Sequence, residues 1–126
     1  MKTNPVVWFE IYVQDMARAK TFYEQMLGLQ LMQLPSEGME GMEMLCFPMV
    51  DNGPGAMGAL VKMDGCPSGG NSTLVYFACD DCAIEAARAG SHGGQVFKEK
   101  FAIGEYGFIA LVIDPDGNMI GLHSMK

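Results

Sequence analysis

Apolar residues in the first part of the chain follow two periods in succession. Residues 6–13 are β-rich, with Glu10 as a polar interruption. Asp15 then stands where a helix N-cap belongs, with Arg18 where a full capping box would place Glu. Ala17, Ala19, Phe22, Tyr23, Met26 and Leu27 recur at helical spacing, and Gly28 is placed to end the helix. Residues 29–34 read as a short strand, 35–41 as a loop, 42–49 as a strand and 57–63 as another. Gly53-Pro54-Gly55 marks the turn between the last two.

The pattern then repeats. Residues 73–79 form a strand, 81–89 a helix ended by Gly90, and 95–100 a strand. Residues 106–113 and 118–124 form a hairpin around Asp114-Pro115-Asp116-Gly117. Asp15 maps onto Asp81 and Gly28 onto Gly94 at one offset of 66 residues. The expectation is a single domain over 1–126, made of two βαβββ modules at about 5–63 and 73–125. A Gly- and Pro-rich linker, 64–72, joins them. One module alone leaves sheet edges and a face bare, which a second covers.

About half of the 126 residues are apolar and 18% are charged, enough for a core. The net charge of −7 argues against a nucleic-acid surface, which needs a basic stripe, and more weakly against docking on anionic membranes. No run approaches the ~18 apolar residues of a membrane span, and because the first five residues lead straight into a strand pattern, no signal peptide is expected. The expected location is the cytoplasm, with the four cysteines reduced. Phosphate-loop, nucleophile-elbow and dinucleotide motifs are missing.

The chain resembles the vicinal oxygen chelate superfamily, which includes glyoxalase I, bleomycin-resistance proteins and extradiol dioxygenases. The resemblance is carried by Phe9-Glu10-Ile11-Tyr12-Val13-Gln14-Asp15, Arg18-Ala19, Phe22-Tyr23 and Leu27-Gly28 in the first half. In the second half it is carried by Gly93-Gly94-Gln95-Val96 and the stretch from Ala110 to Leu122 through Asp114-Pro115-Asp116-Gly117-Asn118. It implies an α+β fold in which the two modules form a cupped, partly closed mixed β-sheet with helices outside. It also implies a small-molecule ligand in the cup and a homodimer.

Metal-dependent members keep His, Glu or Gln ligands on the first and fourth strands of each module. By register those positions are Trp8, about Ala59, Leu74 and Gly121, none of which donates to a metal from its side chain. The resemblance thus implies the fold without the family's usual metal or cofactor. Two steps along each strand lie Glu10, Val61, Tyr76 and His123 on the same face. Glu10 and His123 could form an acid/base pair with Tyr76 orienting a substrate, the basis of a lyase or isomerase reading. The plain alternative is a frayed His123 and a Glu10 paired with a rim cation. A divalent metal held by Glu10 and His123 is the least supported option, because two ligands seldom suffice.

Other features carry less. Cys79-Asp80-Asp81-Cys82 is a C-x-x-C whose aspartates oppose a thiolate; the plain reading is a buried Cys79 and a partly exposed Cys82. Met39, Met42, Met44, Met49, Met57 and Met63 either line a pocket or fill a core. Trp8 either stacks on a flat ligand or plugs the cup. The connection 101–107 brings Phe101 and Tyr106 near the ligand by the resemblance. His92 reads as an exposed turn residue. Lys62, Lys98 and Lys100 are the cations available to an anionic substrate.

Overall fold

The computed structural model describes residues 4–33, 41–70, 72–113, 115 and 117–126. Among the positions named above, Leu34, most of the 35–41 loop with Met39, position 71 of the linker, and Asp114 and Asp116 of the hairpin turn lie outside the described residues. So do the first three residues. The chain packs as two compact units, one of residues 8–73 and one of residues 1–7 with 74–126.

In the first unit the elements are β1 (Val6–Tyr12, from residue 8), α1 (Met16–Leu27), β2 (Met32–Gln33), β3 (Met42–Cys46) and β4 (Met57–Met63). Their order in the sheet is β2-β3-β4-β1, with β1 parallel to β4 and the other pairs antiparallel. The second unit repeats this with β5 (Thr73–Ala78), α2 (Cys82–Ser91), β6 (Gln95–Ala102), β7 (Phe108–Ile113) and β8 (Met119–Ser124). Its order is β5-β8-β7-β6, again with one parallel pair, β5 with β8. A short 3₁₀ turn, Gly104–Tyr106, precedes β7. Two βαβββ modules, each with a mixed sheet, make this an α+β fold.

Alternation sorts each strand into two faces. In the first unit Ile11, Val13, Leu45 and Leu60 pack with Met16, Ala19 and Tyr23 of α1. In the second, Ala110, Val112 and Leu122 pack on Cys82 and Ala86 of α2. Each large apolar side chain so buried contributes roughly 1.5–3 kcal/mol. Both helices start as their sequences direct. The Asp15 carboxylate accepts from Arg18 N–H at 3.1 Å, and Asp81 from Ala83 N–H at 3.1 Å.

Several boundaries differ from the sequence expectations. The helix in the second unit passes through Gly90 to Ser91, with His92 as an exposed C-cap whose N–H reaches Ala89 O. One helical glycine costs about 1 kcal/mol, which the packed face absorbs. Left-handed backbone follows at Gly93 (φ 93°), one residue before the expected Gly94, whereas Gly28 (φ 67°) stands where expected. Of the strand expected over 29–34, the described part forms β2 only at Met32–Gln33, because the Glu24 carboxylate accepts the Leu31 N–H at 2.9 Å just before it. The strand expected over 42–49 ends at Cys46; Phe47 N–H still bonds Gly58 O, and Pro48 has no N–H to continue.

Candidate functional site

The face of the first half-sheet turned away from α1 is set by register. Trp8, Glu10 and Tyr12 alternate along β1, and Glu10 and Tyr12 stand opposite Ala59 and Val61 of β4. Met44 and Cys46 of β3 stand opposite Val61 and Ala59 in turn, and Met42 opposite Met63. Ala59, Val61 and Cys46 are fully buried beneath Trp8, Tyr12, Met42 and Met44.

Glu10 sits in the middle of this apolar surface and is only 8% exposed. Its Oε1 accepts from the Tyr12 hydroxyl at 2.7 Å and its Oε2 from the Trp8 indole Nε1–H at 3.1 Å. Both of these donors come from the same strand face as Glu10. Burial, and then the charge of Glu10, hold the Tyr12 phenol well above its ordinary value. The same two causes push the Cys46 thiol up to about 11. Tyr12 was not singled out by the sequence reading. The signal was present, since the two-residue step that leads from Trp8 to Glu10 leads on to Tyr12.

In the second unit Tyr76 of β5 stands opposite Gly121 of β8, and Ala78 opposite His123. Tyr76 and Leu74 are buried. The Tyr76 ring lies against the Cα of Gly121, so that any side chain at 121 would run into it. His123 is half-buried, with Nε2 2.6 Å from the carbonyl of Tyr106. A carbonyl only accepts, so Nε2 carries the hydrogen and donates it there. Phe101 lies within β6 rather than in the following connection, and Lys98 Nζ sits 4.2 Å from its ring centroid. Tyr106 is 41% exposed. Glu10 and His123 thus belong to different units, each hydrogen-bonded within its own.

The lysines divide by face. Lys62 lies opposite Glu43 on the α1 side of β4. Lys100 binds Asp81 Oδ1 and the Lys126 carbonyl, both at 2.9 Å, beneath α2. Lys98 pairs with Leu111, on the face away from α2. The C-x-x-C assignment is reversed: Cys82 is fully buried, its N–H donating to Ser124 Oγ at 3.0 Å, and Cys79 is half-buried. Burial and the nearby Glu85 push the Cys79 thiol up to about 11, the opposite of a reactive thiolate.

The donor set does not fit a divalent metal. The four slots hold Trp8, Ala59, Leu74 and Gly121, and the Tyr76 ring fills the space beside the last. Among the described residues no group of three or more His, Cys, Asp or Glu side chains converges. A cavity of about 310 Å³ lies at the end of β3 and β4, lined by Gly41, Met42, Glu43, Lys62, Met63 and Asp64, apart from Glu10.

The sequence model of the Glyoxalase/Bleomycin resistance protein/Dioxygenase superfamily matches residues 6–122. A putative glyoxylase of Mycobacterium bovis, CFP32, is 31% identical over 118 residues, covering 92% of this chain. The same protein of Mycobacterium tuberculosis matches equally. The chain spans 42% of the length of these curated relatives. Among solved structures, methylmalonyl-CoA epimerase from Mycobacterium tuberculosis superposes with a TM-score of 0.68 at 17% identity, over 98% of this chain and 89% of that one. A hypothetical protein from Bacillus halodurans gives 0.73 at 13%, over 99% and 96%. These likenesses show a shared fold.

Proposed function

The chain belongs to the Glyoxalase/Bleomycin resistance protein/Dioxygenase superfamily, and on that footing we propose that it binds a small apolar or aromatic molecule without the family's usual metal. One observation carries this reading: an apolar face of Trp8, Tyr12, Met42 and Met44 built around a single buried, hydrogen-bonded carboxylate, Glu10. Apolar surface with a few placed polar groups is the usual make-up of a small-molecule site. The methionines adapt to irregular ligands, and the indole offers a flat surface.

Metal ligation is unsupported by the residues at the four slots, so the binding energy is assigned to burial and stacking. A related epimerase structure holds methylmalonyl-CoA and NH4+. An acyl-CoA is polyanionic; Lys62 and Lys100 lie on the helix sides, which leaves Lys98, on the face away from α2, as the one of the three lysines placed to meet such a ligand. The alternative, a glyoxalase-like lyase or isomerase using Glu10 and His123 with Tyr76, draws support from the burial of Glu10 alone. The binding protein is further proposed to be a cytoplasmic homodimer; among the described residues no helix is long and apolar enough to cross a membrane.

Trp8 is the only tryptophan, so its fluorescence reports this face directly. Titration with neutral aromatics such as 1-naphthol should quench or shift the emission saturably, with a matching rise in Tm. Protein purified without chelator should carry far less than one equivalent of zinc, nickel, iron or manganese. Near-stoichiometric metal, or turnover of methylglyoxal–thiol adducts abolished by Glu10→Gln, would overturn the reading.

A further inference from the structure

We infer that the second half-sheet has a ligand surface of its own: it takes a small monocarboxylic acid with an apolar or aromatic body, whose carboxylate is held by Lys98 of β6. This site stands apart from the Trp8 face. It uses other residues, in the other unit, and a charged ligand.

Strand pairing lays the face turned away from α2 out in rows. One row runs Lys98, Leu111, Gly121, Tyr76, and the next runs Phe101, Ile109, His123, Ala78. The opposite face of these strands is closed, with Ala110, Val112 and Leu122 buried against α2. On the row side Leu111, Ile109 and Phe101 are only half-buried. Gly121 adds no side chain, and the Tyr76 ring lying against it gives its row an aromatic end. Neighbouring strands lie about 4.8 Å apart, so the three gaps from Lys98 to Tyr76 span about 14 Å. A carboxylate on a short chain ending in a ring fits within that length.

Lys98 is the one charged residue that the register places on this face. Glu99 and Lys100 fall at the bulge that follows, and Lys100 reaches Asp81 on the helix side. The Lys98 side chain is exposed and makes no ion pair among the described residues. Its Nζ rests 4.2 Å from the centroid of the Phe101 ring. That contact holds the ammonium over the face and leaves its charge in place, because a ring has no net charge to set against it. A carboxylate brought here accepts a charge-assisted hydrogen bond beside apolar surface, where less water screens it. An ammonium ligand meets a like charge, and a neutral one gains the apolar contact alone. One cation matches one carboxylate; a ligand with several phosphates needs more.

Three molecules on one scaffold test this: 4-phenylbutyrate, 4-phenylbutanol and 4-phenylbutylamine, titrated by calorimetry and located by amide NMR shifts. The butyrate should bind at least about ten-fold tighter than the alcohol, with the amine weakest, and should shift signals of β6, β7 and β8. Lys98→Met keeps the apolar stem at an exposed position and removes the charge. It should abolish the butyrate preference and leave the alcohol's affinity unchanged, and Lys98→Glu should reverse the order of acid and amine. Equal Kd values for acid and alcohol, a preference that survives Lys98→Met, or shifts confined to other strands overturn the inference. Aggregation of Lys98→Met with the ligand preference intact would assign the lysine to protecting the sheet edge, and overturns it too. So does failure of all three molecules to bind. The 1-naphthol titration at Trp8 judges the other reading, so either can fail alone.

Discussion

Replacing Gly121 with alanine should destabilise the protein by about 2 kcal/mol, through a single contact. The new Cβ would fall inside contact distance of Tyr76 Cδ2 and Cε2, and 2.8 Å from Cγ. Cγ is the root of the ring, so swinging the ring's tip brings no relief. Tyr76 is also only 6% exposed, which leaves little room for another rotamer. Overpacking of this kind costs about 1–3 kcal/mol, and three ring atoms in contact place it near the upper end. Alanine returns about 0.4–1 kcal/mol by restricting the unfolded chain, since the backbone at 121 is not left-handed. Urea unfolding of the wild type, Gly121→Ala, Tyr76→Leu and the double variant closes a thermodynamic cycle. In the Tyr76→Leu background the alanine should be neutral or mildly stabilising, giving a coupling of about 2 kcal/mol. An equal cost in both backgrounds would refute the claim that the ring occupies this position. It would also remove the reason given for the lack of a ligand side chain at 121.

Two further outcomes follow from the hydrogen bonds. Tyr12→Phe deletes a 2.7 Å donor to a buried carboxylate and should cost about 1–3 kcal/mol in denaturant unfolding; a change under about 0.5 kcal/mol would mean that Glu10 does not depend on it. The Asp81 carboxyl is held below its ordinary value, first by the Lys100 hydrogen bond and then by the Ala83 N–H. A depressed native value gives a contribution that is present above the unfolded value, about 4, and is lost as pH falls through the native one. The urea midpoint of the wild type should therefore drop more steeply below about pH 4 than that of Asp81→Asn, which keeps a cap but loses the charge; parallel curves would contradict this.

Local signals were legible in the sequence, and distant partners were not. Asp15 and Asp81 cap their helices because a short acceptor followed by a helical stripe needs no tertiary information. The strand over 57–63 matches its apolar run to the residue. Parity alone placed Trp8, Glu10 and Ala59 on one face. What failed depended on groups far along the chain. The Glu24 carboxylate shortens β2 by taking a backbone N–H seven residues away. Ser124 seats Cys82 in the core from 42 residues away, which reversed the expected burial of the two cysteines. The Tyr76 ring over Gly121 arises from strand pairing that spacing does not reveal.

Positions 10 and 76, 66 residues apart, occupy matching places in the two half-sheets, facing Ala59 and Gly121 respectively. One holds a carboxylate tethered by its strand neighbours and the other a ring laid over a glycine. A duplicated chain of this kind carries its own reference specimen. The same exchange made at both positions meets the same connectivity, temperature and solvent within one molecule. The difference between the two results is then a measure of surroundings alone, separated from the intrinsic cost of the residue.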